Sequence, residues 1–207
     1  MSAAEVRQRF IHRCRHPSRV LGVRGDHDGN SGMGPPAQLR EAAVLVPLVD
    51  RPDGLTVLLT QRTAHLAAHA GQISFPGGGV EPEDASAEET ALRETAEEIG
   101  LSRHHIDLVG RLDTYVTRTG FRITPVVGII RPPFILHPDP YEVAEVFEVP
   151  LSFVLDPAGR ERRSAEYKGA TRWFWVFPYQ DRYIWGATAG MLVNLCDVLG
   201  GSPGEAA

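Results

Sequence analysis

The sequence predicts an α+β fold in which a mixed β-sheet is covered on both faces by helices. Three observations predict it. Two adjacent apolar, β-branched runs are joined by turn residues; one well-delimited helix follows a run of three glycines; and later strand-like segments are closed by a second helix. Strands flanking one central helix, with a further helix at the end, stack as separate layers.

Taken in order, residues 1–21 read as a short basic amphipathic helix. Residues 22–38 carry Gly22, Gly25, Gly29, Gly32, Gly34, Pro35 and Pro36, a composition that resists regular structure. Residues 1–38 are therefore expected to form an N-terminal extension and linker, 39–200 the domain and 201–207 a tail. Ala42 to Val49 and Leu55 to Thr60, separated by the turn-forming segment from Asp50 to Gly54, read as a β-hairpin. Gln72 to Phe75 reads as a short strand ending at Pro76, with Gly77, Gly78 and Gly79 opening a loop. Ser86 and Glu89 form a capping box for a helix that runs to Ile99, with Gly100 just past its end. Ile106 to Val116, Phe121 to Ile130 and Glu142 to Val149 read as strands. Arg160 to Tyr167 and Trp173 to Phe177 read as a late hairpin, and Thr188 to Leu199 as the final helix.

At 207 residues the chain suits one domain. With 43% hydrophobic and 23% charged residues its composition is that of a globular protein. A formal net charge of −5 and a pI near 5.9 give no general attraction to a phosphate backbone, so nucleic acid is not an expected partner. No window approaches the roughly 18 apolar residues of a membrane span. Glu5, Arg7 and Arg9 stand where a signal peptide would be apolar, so a cytoplasmic location is expected. Cys14 and Cys196 are far apart and His104 and His105 lack a ligand cluster, so neither disulfides nor zinc are expected.

The chemistry is concentrated between Arg93 and Leu101. Glu94, Glu97 and Glu98 lie at i, i+3 and i+4 and share one helix face. The pairs Glu94–Glu97 and Glu94–Glu98 would each cost about 0.2–0.5 kcal/mol in an isolated helix. A hard cation such as Mg²⁺, which takes oxygen ligands, offsets that cost. A solvated acidic face is the plain alternative, with Arg93 paired to Glu89 four residues earlier. The preceding Phe-Pro-Gly-Gly-Gly run, whose glycines permit close backbone approach, favours the metal platform.

These residues resemble the Nudix hydrolases, whose box reads Gly, five residues, Glu, seven residues, then Arg-Glu-U-x-Glu-Glu-x-Gly-U, with U aliphatic. Arg93 to Leu101 matches its end, with Thr95 in place of an aliphatic residue. At its beginning, Asp84 follows Gly78 by five residues but stands one position early, so one residue is inserted. Upstream, Arg62, Leu66, His69, Gly71, Phe75, Pro76, Gly77 and Gly78 are similar to the signature of the coenzyme A diphosphatase branch, with Ala67 where a basic residue or Ser is common. Glu142 to Asp156 and Ile184 to Leu192 also look like segments of that branch.

The resemblance implies a Nudix-like α/β/α sandwich and a pyrophosphohydrolase using Mg²⁺ or Mn²⁺. It implies Glu94, Glu97 and Glu98 as metal ligands, with Glu97, Glu98 and Arg93 catalytic. It also implies substrate contacts at Arg62, Gly77 and Gly78. The implied substrate is a small nucleotide-containing molecule, coenzyme A or its thioesters, split to 4′-phosphopantetheine and adenosine 3′,5′-bisphosphate. ADP-ribose, dinucleotides and nucleoside triphosphates remain alternatives, as does a non-catalytic nucleotide sensor; a homodimer is left open. His69 and the aromatic residues Trp173, Phe174, Trp175, Phe177 and Tyr179 are read as structural.

Overall fold

The computed structural model describes residues 1–15, 21–30, 32–65, 70–167 and 169–200. Leu66, Ala67 and His69 of the upstream signature, and the tail 201–207, lie outside the described residues. The chain runs α1 (Ala3–Arg15), β1 (Val23–Gly25), β2 (Arg40–Arg51), β3 (Gly54–Arg62), β4 (Ile73–Ser74), β5 (Gly77–Gly79) and α2 (Ala87–Ile99). It continues through β6 (Ile106–Arg111), β7 (Thr114–Val116), β8 (Phe121–Ile130), β9 (Val143–Pro150) and α3 (Leu151–Leu155). It ends with β10 (Glu161–Tyr167), β11 (Ala170–Tyr179), β12 (Arg182–Trp185) and α4 (Gly186–Gly200).

Among the described residues nine strands form one mixed sheet, ordered β1-β7-β8-β2-β3-β4, with β5 also on β2, β6 on β8 and β9 on β3. The hairpin β2–β3 is antiparallel, closing at Arg51 opposite Gly54. The long central pair β2 and β8 is parallel, from Arg40 opposite Phe121 to Val49 opposite Ile130. Because side chains alternate across a strand, β2 feeds two cores at once. Val44, Val46 and Leu48 join the larger core beneath α1, α3 and α4; Ala43, Leu45 and Val49 face the α2 side. Each fully buried aliphatic side chain of this kind contributes about 1.5–3 kcal/mol. The sheet thus lies between α2 on one face and α1, α3 and α4 on the other, the α/β/α sandwich that the resemblance implies.

Two local expectations are corrected. The segment 22–38 is not structureless: β1 pairs in parallel with β7, and the buried Asn30 amide bonds Asp26 O and Trp173 O while accepting from Trp173 N. The three glycines do not open a loop, because β5 pairs antiparallel with Ala42, Ala43 and Val44 of β2. The late hairpin forms as expected, within a separate three-stranded sheet with β12.

Helix α1 is also part of the domain's interior. Val6 and Phe10 are buried in the larger core. Asp113 ties the surrounding elements together: it pairs with Arg13 of α1 and Arg24 of β1, accepts from Gly22 N, and is held by the buried Asn194 of α4.

Candidate active site

Half of the capping box expected for α2 is present. Ser86 is extended and its side chain accepts from Glu89 N, while Gly100, at φ 68°, ends the helix in the left-handed region. The Glu89 carboxylate, however, pairs with Arg103 at 2.7 Å, so the Glu89–Arg93 pair of the solvated-face alternative does not form. Arg93 turns instead to the acidic face. Its Nη1 donates to Glu94 at 2.9 Å and to Glu97 at 3.0 Å. One guanidinium edge therefore takes up the Glu94–Glu97 repulsion that the sequence assigned to a cation. The other edge grips Asp84, Nε to Oδ1 at 3.1 Å and Nη2 to Oδ2 at 2.9 Å, and Nη2 also reaches Gly79 O at 3.0 Å.

This geometry gives Asp84, the residue displaced by the insertion, a definite place. Its side chain is 6% exposed and also accepts from Thr90 Oγ1 and Glu81 N. The Arg93 bonds foremost, with the Glu81 amide next, hold its carboxyl well below the usual range. A fork–fork pair of this kind fixes orientation as well as charge. Arg93 is thereby locked over the face it shares with Glu94 and Glu97.

Glu98 faces the other way, into the protein, and is 4% exposed. Its Oε1 lies 3.7 Å from Arg62 Nη1, longer than a hydrogen bond. Among the described residues, Glu98 Oε2 and Arg62 Nε are both buried without a hydrogen-bond partner. Burial, countered in part by Arg62 and then reinforced by Glu94 and Glu142, pushes the Glu98 carboxyl up to about 8. Glu94 is raised as well, first by burial and then by Glu97 and Glu142, against the lowering effect of Arg93.

Glu142 is the member of this acidic group that the motif reading missed. It stands far along the chain, and a loop brings it in. His137 N and Asp139 N cap the Ile99 and Glu98 carbonyls at the end of α2, and Glu142 N returns to Asp139 O. Thr63 N then bonds Glu142 O beside Arg62. Only the placement of that loop reveals the residue; no local spacing signals it.

Gly77 and Gly78 have reasons within the protein. Gly77 has φ +155°, and a Cβ there would stand 2.4 Å from Ala43 O. A Cβ on Gly78 would meet the Glu94 carboxylate carbon at 2.4 Å. The close approach expected of these glycines is thus made by β2 and by Glu94, and Gly78 leaves the space in which that carboxylate sits.

The donor set suits a hard divalent cation. Glu98 offers an unpartnered buried oxygen, Glu94 is partly buried beside it in charge terms, and both carboxyls are raised by the crowding of acids. Mg²⁺ commonly takes only one or two protein carboxylates and completes its shell with water and substrate phosphates. Among the described residues no three His, Cys, Asp or Glu side chains stand as a ready cage. Glu97, 59% exposed, is drawn to Arg93 and not toward Glu98. Glu94 and Glu98 therefore fit the ion best as placed. No helix among the described residues is long and apolar enough to cross a membrane.

The NUDIX domain family matches residues 39–176, which include Arg62, the glycines and the whole of α2. Cronobacter sakazakii has a relative named Uncharacterized Nudix hydrolase NudL, 44% identical over 165 residues and covering 79% of this chain and 85% of its own. A relative of the same name from Escherichia coli strain K12 is 41% identical over 165 residues, covering 79% of this chain and 85% of its own. With its box helix, its Arg93-held glutamates and these relatives, the chain belongs to the Nudix hydrolase family and is a pyrophosphohydrolase.

Proposed function

We propose that the enzyme cleaves the diphosphate linkage of coenzyme A or its thioesters, in the cytoplasm, giving 4′-phosphopantetheine and adenosine 3′,5′-bisphosphate. The observation that carries the hydrolytic part is the buried, unpartnered Glu98 Oε2 beside Arg62. The upstream residues Arg62, Gly71, Phe75, Pro76, Gly77 and Gly78, similar to the coenzyme A branch signature, support the substrate.

In this reading Glu94 and Glu98 would hold Mg²⁺ or Mn²⁺, with Glu97 as a further ligand through the oxygen that Arg93 leaves free. Such an ion lowers the pKa of bound water and offsets charge on the phosphate oxygens. The chain's own residues do the rest. A carboxylate of the group takes the proton of the attacking water as its oxygen bonds to phosphorus and the bridging P–O bond breaks. Arg62 meets the phosphate charge, and Arg93 keeps Glu94 and Glu97 in register.

The test is product identification after digestion of coenzyme A, ADP-ribose, a diadenosine polyphosphate and a nucleoside triphosphate with Mg²⁺ or Mn²⁺. Release of 4′-phosphopantetheine at the highest kcat/KM is the expected result. Efficient hydrolysis of another member of the panel with coenzyme A left intact would overturn the substrate assignment.

A further inference from the structure

Away from α2, the structure holds a second chemically distinctive feature. A cavity of about 620 Å³ opens between the β1 segment, the start of α4 and the β10–β12 sheet. That volume lies within the range of roughly 300–1,000 Å³ typical of small-molecule sites. Its lining includes none of Asp84, Arg93, Glu94, Glu97, Glu98 or Arg62. All three tryptophans of the chain, Trp173, Trp175 and Trp185, line it.

The aromatic side chains here are not sealed in the core, as the sequence reading of this segment supposed. Phe177 is buried, but Tyr167, Trp173, Tyr183 and Trp185 are 42%, 45%, 41% and 43% exposed and line the same cavity. Leaving four large rings in water around one concavity forgoes burial energy that a ligand would recover. The rigidity of the wall argues for a built site. Asn30 clamps the 26–30 loop to the Trp173 backbone, and Tyr115 Oη donates to Asp26 at 2.9 Å.

The charges on the wall point to the sign of the ligand. The three lining carboxylates are engaged internally: Asp26 by Tyr115 and Arg118 N, Asp28 by Gly25 N, and Glu166 by Thr171 Oγ1. Arg24 is likewise engaged, by Asp113 and Asp197. Arg118 differs. Its guanidinium group lies over the ring of Tyr167, at 4.0 Å. Among the described residues it has no carboxylate within ion-pair distance.

We propose that this cavity is a second ligand site, which binds a planar aromatic anion by stacking on Trp173 and Tyr167 with its charge toward Arg118. Aromatic walls with guanidinium groups at the rim recognise such molecules through ring stacking and charge-assisted contacts. The proposal stands whichever diphosphate the enzyme hydrolyses.

The probe is 8-anilinonaphthalene-1-sulfonate, compared with the uncharged N-phenyl-1-naphthylamine, each titrated into the whole chain. Energy transfer from tryptophan to the dye reports this cavity, because every tryptophan borders it. Saturable binding of one sulfonate per chain is expected, with Arg118→Gln weakening it about tenfold, the size of one charge-assisted contact. The neutral dye should be nearly indifferent to that change. Tyr167→Ala should weaken both dyes, and Glu98→Gln neither. Sulfonate affinity unaltered in Arg118→Gln would overturn the proposal. So would loss of binding in Glu98→Gln, or a cavity closed by self-association, seen as concentration-dependent sedimentation without dye binding.

Discussion

Arg93 and Asp84 meet edge to edge, with two near-parallel bonds of 3.1 and 2.9 Å between guanidinium and carboxylate. This relationship fixes the direction from which the remaining Nη1 addresses Glu94 and Glu97. Asp84→Asn removes the charge and one acceptor from that grip while leaving the backbone turn in place. The expected outcome is a fall in kcat of about tenfold to a hundredfold with a smaller change in KM, since a misplaced catalytic face costs turnover on that scale. Arg93→Lys, which cannot form the fork, should behave in the same way. Steady-state kinetics with unchanged far-UV circular dichroism checks both, and wild-type kcat in either variant would contradict the positioning role.

The buried Glu98 makes a signed pH prediction. Its carboxyl is raised to about 8 in the folded protein, against an ordinary value of about 4.3 in an unfolded chain. The folded state therefore binds this proton more tightly. The associated stability is complete below the unfolded value and is lost as pH rises through about 8. In metal-free protein, Glu98→Gln should abolish that loss, so that at pH 8 the variant is the more stable by on the order of 1 kcal/mol or more. Its turnover should fall at least about a hundredfold, beyond the usual effect of disturbing a supporting residue. Urea midpoints from pH 5 to 9 alongside initial rates decide the matter. Parallel pH profiles for the two proteins would refute it.

The three consecutive glycines should respond in three different ways. Gly79→Ala meets nothing within 4 Å and should be neutral in both stability and rate. Gly78→Ala directs its methyl group into the Glu94 carboxylate, a flexible side-chain end, so the fold should survive while activity drops about tenfold or more as that carboxylate is displaced. Gly77→Ala strikes the Ala43 carbonyl from a positive φ and should cost more than about 2 kcal/mol. Thermal melts paired with rate assays separate the three, and a melting loss in Gly79→Ala comparable to that in Gly77→Ala would count against this assignment.

Helix α1 should behave as core. Phe10→Ala is expected to destabilise the protein by about 3–5 kcal/mol, the range for emptying a buried aromatic position. A denaturation midpoint equal to that of the wild type would show that α1 is dispensable.

The elements legible in the sequence were those whose signals are local. Ser86, Gly100 and the spacing between them delimit α2 to within a residue, and the turn from Asp50 to Gly54 locates the β2–β3 hairpin. What escaped depends on partners distant in the chain. Strand β1 exists because β7 pairs with it, β5 because β2 does, and glycines with no apolar periodicity announce neither. In the site, the helical face of Glu94, Glu97 and Glu98 was legible, but its division was not. Arg93 claims two of the three, burial claims the third, and Glu142 joins through a loop placed by the end of α2.

Helix α1 shares its core with α4, at the opposite end of the chain, and Asn194 of α4 holds the aspartate that Arg13 of α1 also grips. A ribosome releases the first of these helices long before the second exists. The apolar side of α1 must wait, shielded only by transient contacts, until α4 has emerged. The segment 39–176 shared with the family contains neither helix, so if excised it would present the underside of its sheet to water.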